Sequence, residues 1–526
     1  MKLIKMMSFM SSQMPGALAA CRKRLFTAAL VCCLSCFSVN AQVVDGRDFS
    51  IDGFAAVDGN AGTNHYRAGG TTGGAGGKVV YAANFSQLQA YMQAKDPYIV
   101  IVDKDMTTGI TCYVDGLNTG KLCDVQDGSQ GVPTTYGERI LVAPNKTLIG
   151  VTDPKTGNAP LFSRITFVMQ CVDNVIIRNC RFTMNGVPVL KSGENKIVAF
   201  RNGVQTEVGD PDCIGIQADK VSAKTDWGGH IWIDHCEFFN GNAASKDRYD
   251  GLLDCKNNVQ WMTFSYNHFH NHDKSCLFGK GDSDVYENCR TISFHHNFFE
   301  NIEGSRLPLQ RGGNLHFYNN YMLGCEDGWD VRPGAVGCLE ASYFENTKSP
   351  VRSDRGGSLN VNKTSGYDVI YKGCNNLMEG YTNTDGHKIS KSYPVTATKW
   401  TPVQTSSSYR VNNMDKTADV PELLKKYAGA GKIEIYKAYT DNLPGEDINE
   451  FAHAVKNKLT GDAYDDDGNK ITDVPTAIDG TVAGGMANIV YYTLDGVRVN
   501  APEKGVYVRK AFDAQGRVSV SKVVIR

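Results

Sequence analysis

One short pattern recurs along the middle of the chain and constrains its fold more than any other feature. It reads apolar-x-apolar-x-x-Asn/Cys-x-aromatic, and successive copies close 56, 31, 30, 23 and 22 residues apart. The copies span residues 175–182, 231–238, 262–269, 292–299, 315–322 and, more weakly, 337–344. Alternation with a period of two indicates strands, and units too short to fold alone indicate a solenoid.

Stacking these copies would place like residues above like residues. The apolar positions would form one internal column, and the asparagines a second column at a bend, where side-chain amides can bond along the stack. The columns are Ile177, Ile233, Phe264, Phe294 and Phe317, and Asn267, Asn297 and Asn320. We therefore predict an all-β fold, a right-handed single-stranded parallel β-helix with long loops. A β-sandwich would need short hairpin connections, whereas the connections here are long and irregular.

The two ends of the chain differ from this repetitive part. Residues 22–24 are basic, residues 25–39 are apolar, and small residues end at Ala41, a pattern typical of a signal peptide. A lipoprotein-like segment ending at Cys21 precedes the apolar run and fits less well. We expect a signal peptide at 1–41, a β-helix domain at 42–450, a polar linker at 451–483 and a small C-terminal β tail at 484–526. Secretion is expected, with retention in the periplasm or at the outer surface as the alternative.

Charge and cysteine content limit the classes of partner. Removing residues 1–41 leaves 50 Lys and Arg against 56 Asp and Glu, a net charge of −6, with no basic tail. This argues against nucleic acid as a partner. No later apolar run is long enough to cross a membrane, and a monomer is expected. Disulfides can form after export, and buried free thiols are an equal alternative, because twelve cysteines allow too many pairings for the sequence to decide. The close pairs are Cys112/Cys123, Cys171/Cys180 and Cys325/Cys338.

Local signals predict a few elements around the repeats. Asn84 or Ser86 can cap a short helix over 85–92, and Pro421 can begin another over 420–427. The glycine-rich residues 69–77 favour a loop, because no Gly-Lys-Ser/Thr of a phosphate-binding motif follows them. Buried strands are expected at 98–102, 139–142 and 147–149.

Carboxylates stand out between the repeats. Their oxygens are the ligands that Ca²⁺ prefers, although each close pair taken alone is also typical of turns. The candidate metal ligands are Asp210, Asp212, Asp250 and Asp254.

Basic residues lie in the same part of the chain. Lys274, Arg306 and Arg311 can bind the carboxylates of a ligand, or can form ordinary surface ion pairs. Three alternating histidines also invite a zinc hypothesis, but stacked histidines on a solenoid face explain their spacing equally well. They are His268, His270 and His272.

Taken together, these features resemble the pectate lyases of the parallel β-helix class. Residues 231–235, Ile-Trp-Ile-Asp-His, are similar to that family's Trp-x-Asp-His motif. Residues 306–311, Arg-Leu-Pro-Leu-Gln-Arg, are similar to its Arg-x-Pro-x-x-Arg motif, and residues 174–179 are also similar. The resemblance covers residues 78–350 and does not extend to the C-terminal tail.

The resemblance implies roles for the charged residues. Asp212, Asp250 and Asp254 match the family's Ca²⁺ ligands, with Asp210 as a fourth, although the family often has Glu at the position of Asp250. Arg306 matches its catalytic base. The residues matching those that hold substrate carboxylates are Lys274 and Arg311, and those matching a structural motif are Asp234 and His235.

The implied reaction is Ca²⁺-dependent β-elimination on α-1,4-polygalacturonate, leaving 4,5-unsaturated ends. A guanidinium base implies activity favoured by alkaline pH, because the pKa of a free guanidinium lies above ~12. Three alternatives stay open: a pectin lyase acting on methyl-esterified substrate without Ca²⁺, a non-catalytic polysaccharide-binding β-helix, and a galacturonan hydrolase using paired carboxylic acids.

Overall fold

A computed structural model gives the structure of the protein. It describes residues 43–60, 66–108, 138–185, 212–218, 228–241, 249–285 and 290–435, and the backbone of eight further strands. The chain divides into two compact units, Met1–Leu459 and Thr460–Arg526. The expected signal peptide and linker lie outside the described residues. In the part that is described, no helix is long and apolar enough to cross a membrane.

Three parallel sheets build the described part of the first unit, and each coil of the chain passes through them in turn. The first sheet contains Lys78–Tyr81, Tyr98–Val102, Lys146–Gly150, Asp173–Arg178, Gly228–Asp234, Val259–Ser265, Ile292–His295, Asn314–Tyr318, Val336–Glu340 and Ser358–Val361. The second contains Met106–Thr107, Leu161–Ser163, Arg181–Thr183, Glu237–Phe239, His268–Lys274, Phe298–Ser305, Tyr321–Leu323, Tyr343–Glu345 and Ile370–Lys372. The third contains Glu138–Leu141, Ile165–Gln170, Ile214–Gln217, Leu253–Lys256, Leu277–Phe278, Leu309–Gln310, Asp327–Val331 and Ser349–Arg352. This confirms the predicted right-handed parallel β-helix.

The predicted apolar column lies inside the first sheet. Ile177 pairs with Ile233, Ile233 with Phe264, Phe264 with Phe294, and Phe294 with Phe317. All five side chains are fully buried. In the second sheet a parallel column of phenylalanines stacks with ring centroids 4.8–5.0 Å apart, at residues 182, 238, 269 and 299. In-register pairing of equivalent residues therefore fills the interior of the solenoid.

The predicted asparagine column lies at the bend between the first and second sheets. The Asn267 backbone N–H and side-chain amide both donate to Asn297 Oδ1 at 3.0 Å. Asn297 repeats this with Asn320 Oδ1, at 2.9 and 3.1 Å. Cys236 N–H donates to Asn267 below, and Asn320 N–H donates to Ser342 Oγ above. A polar spine thus ties successive coils inside a buried bend.

Other elements surround the coils. The helix Phe85–Gln93 is capped by Asn84, whose side chain accepts from Gln87 N–H, so Asn84 rather than Ser86 is the cap. The predicted second helix is Val420–Tyr427. In the described part of the chain, the remaining helical segments are Gly53–Ala56, Pro402–Thr405 and Thr417–Asp419. Shorter pairs are Val43–Val44 with Arg47–Asp48, Ile110–Asp115 with Gly131–Tyr136, Ile197–Arg201 with Val204–Val208, and Asn376–Met378 with Lys391–Tyr393.

Two segments cover the outer face of the first sheet. Near the N-terminus, Phe54 N–H donates to Ser293 Oγ and Ala55 N–H donates to Thr263 Oγ1, both at 3.0 Å. From the other end of the unit, Tyr409 packs against Phe54 and lies 3.0 Å from Ser293 Oγ. The outward side chains of this sheet are consequently buried although they point away from the core.

The second unit is a small antiparallel sheet, in agreement with the predicted β tail. Its described strands are Met486–Tyr492, Arg498–Val499, Gly505–Asp513 and Val518–Ile525. Gly505–Asp513 pairs with both of the longer strands.

At two of the three candidate pairs the structure has free thiols, the alternative to disulfides. Cys171, Cys180, Cys325 and Cys338 are all free thiols. Cys171 precedes and Cys180 follows the six-residue strand Asp173–Arg178, whose ends lie roughly 20 Å apart when extended. Cys325 belongs to the core, whereas Cys338 lies on the outer face of the first sheet. The side chains of Cys112 and Cys123 lie outside the described residues.

We expect Asn297→Ala to lower the free energy of unfolding by about 2–4 kcal/mol, because the buried N–H groups of Asn267 would lose their acceptor. Chemical denaturation monitored by circular dichroism measures this loss. The exposed Asn158→Ala should change stability by no more than about 0.5 kcal/mol. Equal stability of Asn297→Ala and the parent protein would show that the spine contributes nothing.

Candidate active site

The charged residues gather along one edge of the third sheet. Asp212 precedes the strand Ile214–Gln217, and Asp254 lies in the adjacent strand Leu253–Lys256. Lys274 ends a strand of the second sheet, just before the chain enters the third. Arg306 and Arg311 flank the two-residue strand Leu309–Gln310. Parallel stacking therefore brings together residues that are up to about 100 positions apart in sequence.

A lysine that the sequence analysis overlooked lies between two of the aspartates. Lys256 Nζ is 3.1 Å from Asp212 Oδ2 and 3.4 Å from Asp254 Oδ2. Asp212 Oδ1 accepts from Gly251 N–H, and Asp254 Oδ1 accepts from Leu277 N–H, both at 2.9 Å. Backbone donors thus fix one oxygen of each carboxylate and leave the other directed at the ammonium group. A Lys two positions after an Asp on a strand shares its face, so this spacing was a usable signal.

The environment of Asp212 and Asp254 disfavours their ionised forms. Burial, and after it the charge of Asp254, raises the pKa of Asp212 well above its usual range, with Lys256 opposing both. Burial also raises the pKa of Asp254 to about 6, again opposed by Lys256. Burial lowers the pKa of Lys256, but the two aspartates outweigh it and the net shift is upward. Positive charge is therefore needed to keep this pair ionised at neutral pH.

Asp250 lies between two of the three predicted cationic residues, Lys274 and Arg306. Its Oδ1 atom is 3.7 Å from Lys274 Nζ and 3.7 Å from Arg306 Nη1. Lys274 and Arg306 have 17% and 22% of their side chains exposed, so both can reach a ligand at the surface. Two cations that converge on one carboxylate oxygen form a ready receptor for the carboxylate of a ligand.

Local backbone geometry directs Arg306. Its φ of +71° lies in the left-handed region, which is unusual for a residue other than glycine, and the following Leu307–Pro308 bond is cis. The flanking hydrogen bonds hold this conformation, since Cys276 N–H donates to the Arg306 carbonyl at 2.7 Å. Eighteen other non-glycine residues among those described also have a positive φ, so this conformation is common in the fold and does not by itself mark a functional site.

Arg311 lies farther along the same sheet edge. Through Phe278 and Gln310, the strand register places it two coils, or roughly 10 Å, beyond Lys256. Its Nε donates to the exposed Asp282 at 2.6 Å and its Nη1 to the Gly279 carbonyl at 2.9 Å. Arg311 therefore extends the basic surface beyond the aspartates without contacting them directly.

The three histidines do not converge. His268 Nε2 bonds to Glu300 and His270 Nε2 to Glu237. His272 is buried, and its Nε2 lies 2.8 Å from the Asp250 carbonyl, which can only accept, so Nε2 carries the proton. Burial lowers the pKa of His272 to about 4. His272 therefore acts as a neutral support for the Asp250 backbone, a role that the sequence spacing did not reveal.

Asp234 and His235 have the structural role that was expected of them. Asp234 Oδ2 accepts from Arg178 Nε at 2.8 Å, and its Oδ1 accepts from Ser265 Oγ at 2.7 Å. His235 Nδ1 also lies 2.6 Å from Asp234 Oδ2. All of these side chains are buried.

The aspartates provide a donor set that suits a hard divalent cation. Asp254 Oδ2 is buried and has no hydrogen-bond partner, although Lys256 lies within ion-pair distance of it. All the available donors are carboxylate oxygens, which Ca²⁺ prefers. Gly251 is required here, because a Cβ at that position would lie 2.2 Å from Asp254 Oδ1. Asp210, the fourth predicted ligand, lies outside the described residues.

Comparison with known proteins adds family evidence to this geometry. A family model described as pectate lyase matches residues 53–433. A pectate trisaccharide-lyase from Bacillus licheniformis is 32% identical over 387 residues, covering 73% of this chain and 88% of that protein. Pectate lyase B from Dickeya chrysanthemi is 32% identical over 219 residues, covering 39% of this chain and 54% of that protein.

A solved structure gives a weaker likeness. Pectate lyase II from Xanthomonas campestris pv. campestris covers 73% of this chain and 99% of its own, with 23% identity and a TM-score of 0.48. The family model and the Bacillus licheniformis relative carry the assignment. The chain belongs to the pectate lyase family and is a polysaccharide lyase.

We expect Lys256→Met to lower the free energy of unfolding by about 2–4 kcal/mol at pH 7 in EDTA, because Asp212 and Asp254 would lose their counter-charge. Lys256 lowers the pKa of both carboxylates, so the variant should ionise them only at higher pH. The difference from the parent protein should therefore narrow as the pH falls towards about 4 and both groups become protonated.

Denaturation at several pH values measures this difference. The exposed Lys280→Met serves as the control and should show no such trend. A loss of stability that stays constant from neutral to acid pH would contradict the proposed charge coupling.

Proposed function

We propose that this chain is a secreted pectate lyase that cleaves α-1,4-polygalacturonate by Ca²⁺-dependent β-elimination and releases 4,5-unsaturated oligogalacturonides. One observation carries the proposal. Asp250 lies between Lys274 and Arg306, next to the cluster of Asp212, Lys256 and Asp254, in which Asp254 is buried and the other two side chains are partly exposed. Carboxylates for a cation, cations for a uronate and a guanidinium therefore share one sheet edge.

Arg306 is the proposed base. It would take the proton from C5 of the sugar on the +1 side of the cleaved bond. The electron pair of that C–H bond forms the C4–C5 double bond as the C4–O bond breaks. The departing oxygen keeps its bonding electrons and receives a proton from solvent, so one polysaccharide gives one unsaturated and one ordinary end. The side chain of Arg306 is partly exposed, which makes it available for contact with substrate.

Lys274 and Arg311 are the proposed substrate-binding residues. A C5 proton beside an ionised carboxylate is weakly acidic, because its removal adds a second negative charge. Fixed positive charges near that carboxylate stabilise the extra charge in the transition state more than in the ground state. They also offset the repulsion between a polyanionic substrate and a protein whose net charge would be −6 after removal of residues 1–41.

Asp212, Asp250 and Asp254, with Asp210, are the proposed Ca²⁺ ligands. The bound ion would neutralise the substrate carboxylate and so add to the effect of the basic side chains. Its other effect concerns the protein, because it would supply the charge that the buried aspartate pair needs to stay ionised. Lys256 supplies that charge in the structure and would turn towards solvent or substrate when a cation enters.

Export is part of the proposal and rests on the N-terminal sequence. A basic segment, an apolar run and small residues up to Ala41 are typical of a cleaved signal peptide. N-terminal sequencing of the protein recovered outside the producing cell should begin near residue 42.

The first functional test compares polygalacturonate cleavage with and without EDTA, followed by the ultraviolet absorbance of the unsaturated product. We expect EDTA to abolish cleavage and added Ca²⁺ to restore it. Arg306→Lys should lower kcat by about 10²–10⁴-fold with little change in KM, since the base acts in the transition state. Arg139→Lys, an exposed arginine on the same sheet, is the matched control.

Each alternative predicts a different result in this assay. Unchanged activity of Arg306→Lys would remove the proposed base. Cleavage of methyl-esterified substrate that persists in EDTA would indicate a pectin lyase. New reducing ends without ultraviolet absorbance would indicate a hydrolase, and no cleavage of any galacturonan would indicate a binding protein.

A guanidinium base also predicts the pH dependence of the reaction. Only an unprotonated guanidine can accept the C5 proton, and that form becomes more abundant as pH rises, so kcat/KM should increase from neutral into the alkaline range. A pH–rate profile at saturating Ca²⁺ measures this. A profile that peaks in acid and falls above neutrality would contradict Arg306 as the base.

A further inference from the structure

A second group of metal-ligating side chains lies on the first sheet, away from the third-sheet edge that carries the aspartates. His316 and Cys338 are register partners on adjacent strands, and Glu340 follows two residues later on the same outward face. One ligand atom from each lies within 4.8 Å of the others. His316 and Cys338 are buried, with 2% and 1% of their surface exposed. The group combines nitrogen, sulfur and oxygen donors, and no other set of three His, Cys, Asp or Glu side chains among the described residues meets this distance limit.

Each of the three side chains has a hydrogen-bond partner outside the cluster. His316 Nδ1 lies 2.6 Å from the Tyr409 hydroxyl, which lies 3.0 Å from Ser293 Oγ. On the next coil, Asn360 donates to Cys338 Sγ at 3.8 Å, and Asn362 donates to Glu340 Oε1. Second contacts of this kind orient the ligands of protein metal sites.

The remaining atoms face one another. His316 Nε2 and Glu340 Oε2 are 2.9 Å apart, a distance that places one proton between them. A cation entering the cluster would replace that proton and gain both atoms as ligands, with Cys338 Sγ as the third.

A surface pocket of about 300 Å³ opens onto this cluster. The three side chains form part of its wall, and the segment 401–414 forms the rest, including Pro402, Tyr409 and Met414. The pocket leaves room for a water molecule or a small ligand at a fourth coordination position. Three protein ligands with an open fourth position are typical of zinc sites that bind an exchangeable group.

We infer that His316, Cys338 and Glu340 form a binding site for a thiophilic divalent metal, with Zn²⁺ as the best-matched occupant. The mixture of imidazole, thiol and carboxylate selects zinc over Ca²⁺, which takes oxygen ligands alone. Tyr409 belongs to the segment that covers the first sheet, so the occupied site would fasten that segment to the coils. The inference does not depend on the proposed lyase mechanism.

The test uses the full-length protein, reduced, stripped with EDTA and then freed of chelator. Calorimetric titration with Zn²⁺ should show one site with a Kd below about 1 μM, well within the range of protein zinc sites. Co²⁺ should give the near-ultraviolet charge-transfer absorption of a cobalt–thiolate bond. Cys338→Ser should abolish that absorption and weaken Zn²⁺ binding by about 100-fold or more.

Two further variants keep the result interpretable. Cys325→Ser removes another buried free thiol, which lies in the core, and should leave both signals intact. Glu340→Gln keeps the thiol and should weaken Zn²⁺ binding while retaining some cobalt–thiolate absorption. The proposal is overturned if the parent protein does not bind Zn²⁺ in the micromolar range, or if folded Cys338→Ser retains the cobalt–thiolate signal.

Polygalacturonate cleavage by Cys338→Ser separates this site from the proposed Ca²⁺ site. Unchanged cleavage with lost zinc binding would support two independent metal sites. Loss of cleavage together with zinc binding, in a folded variant, would overturn the independence of the inferred site from the lyase reaction.

Discussion

In-register hydrogen bonding between successive coils is the constraint on which the rest of the structure depends. Parallel pairing places Phe264, Phe294 and Phe317 above one another, and the same register aligns Asn267 and Asn297 at the bend. A slip of one residue would turn every inward side chain outward. The polar spine makes such a slip costly, because its buried amides would lose their partners together.

The charged site follows from this register. Asp212, Asp254 and Arg306 are far apart in sequence, but Asp212 and Asp254 lie on adjacent coils and Arg306 lies two coils further along the same sheet, so a rigid scaffold fixes their positions. The aspartates are then buried more deeply than their charge favours, as their raised pKa values show. Burying these carboxylates lowers the stability of the fold at the place where a cation can bind. Such local destabilisation is common at functional sites.

Sequence reasoning predicted those parts of the molecule that depend on periodicity. The columns through Phe294 and Asn297 needed only the period of two and the rule that like residues stack. It failed where contact depends on the path of a whole coil. The spacing of Asp254 and Lys256 was a local signal, but nothing local shows that Asp212 approaches Lys256 from the preceding coil. Proximity in sequence also made Cys171 and Cys180 a candidate disulfide, but a strand between them holds the two thiols apart.

Neighbouring strands of the third sheet lie about 4.8 Å apart. Side chains at equivalent positions on its outer face are therefore separated by multiples of this distance. Three basic residues occupy equivalent register positions on this face. Arg311 lies two coils beyond Lys256, and Arg332 lies one coil beyond Arg311. A linear polyanion lying along this edge would meet positive charges at separations set by the distance between coils. Gain or loss of a single coil would lengthen or shorten this face by one strand spacing, about 4.8 Å, and would leave the pairing within the neighbouring coils unchanged.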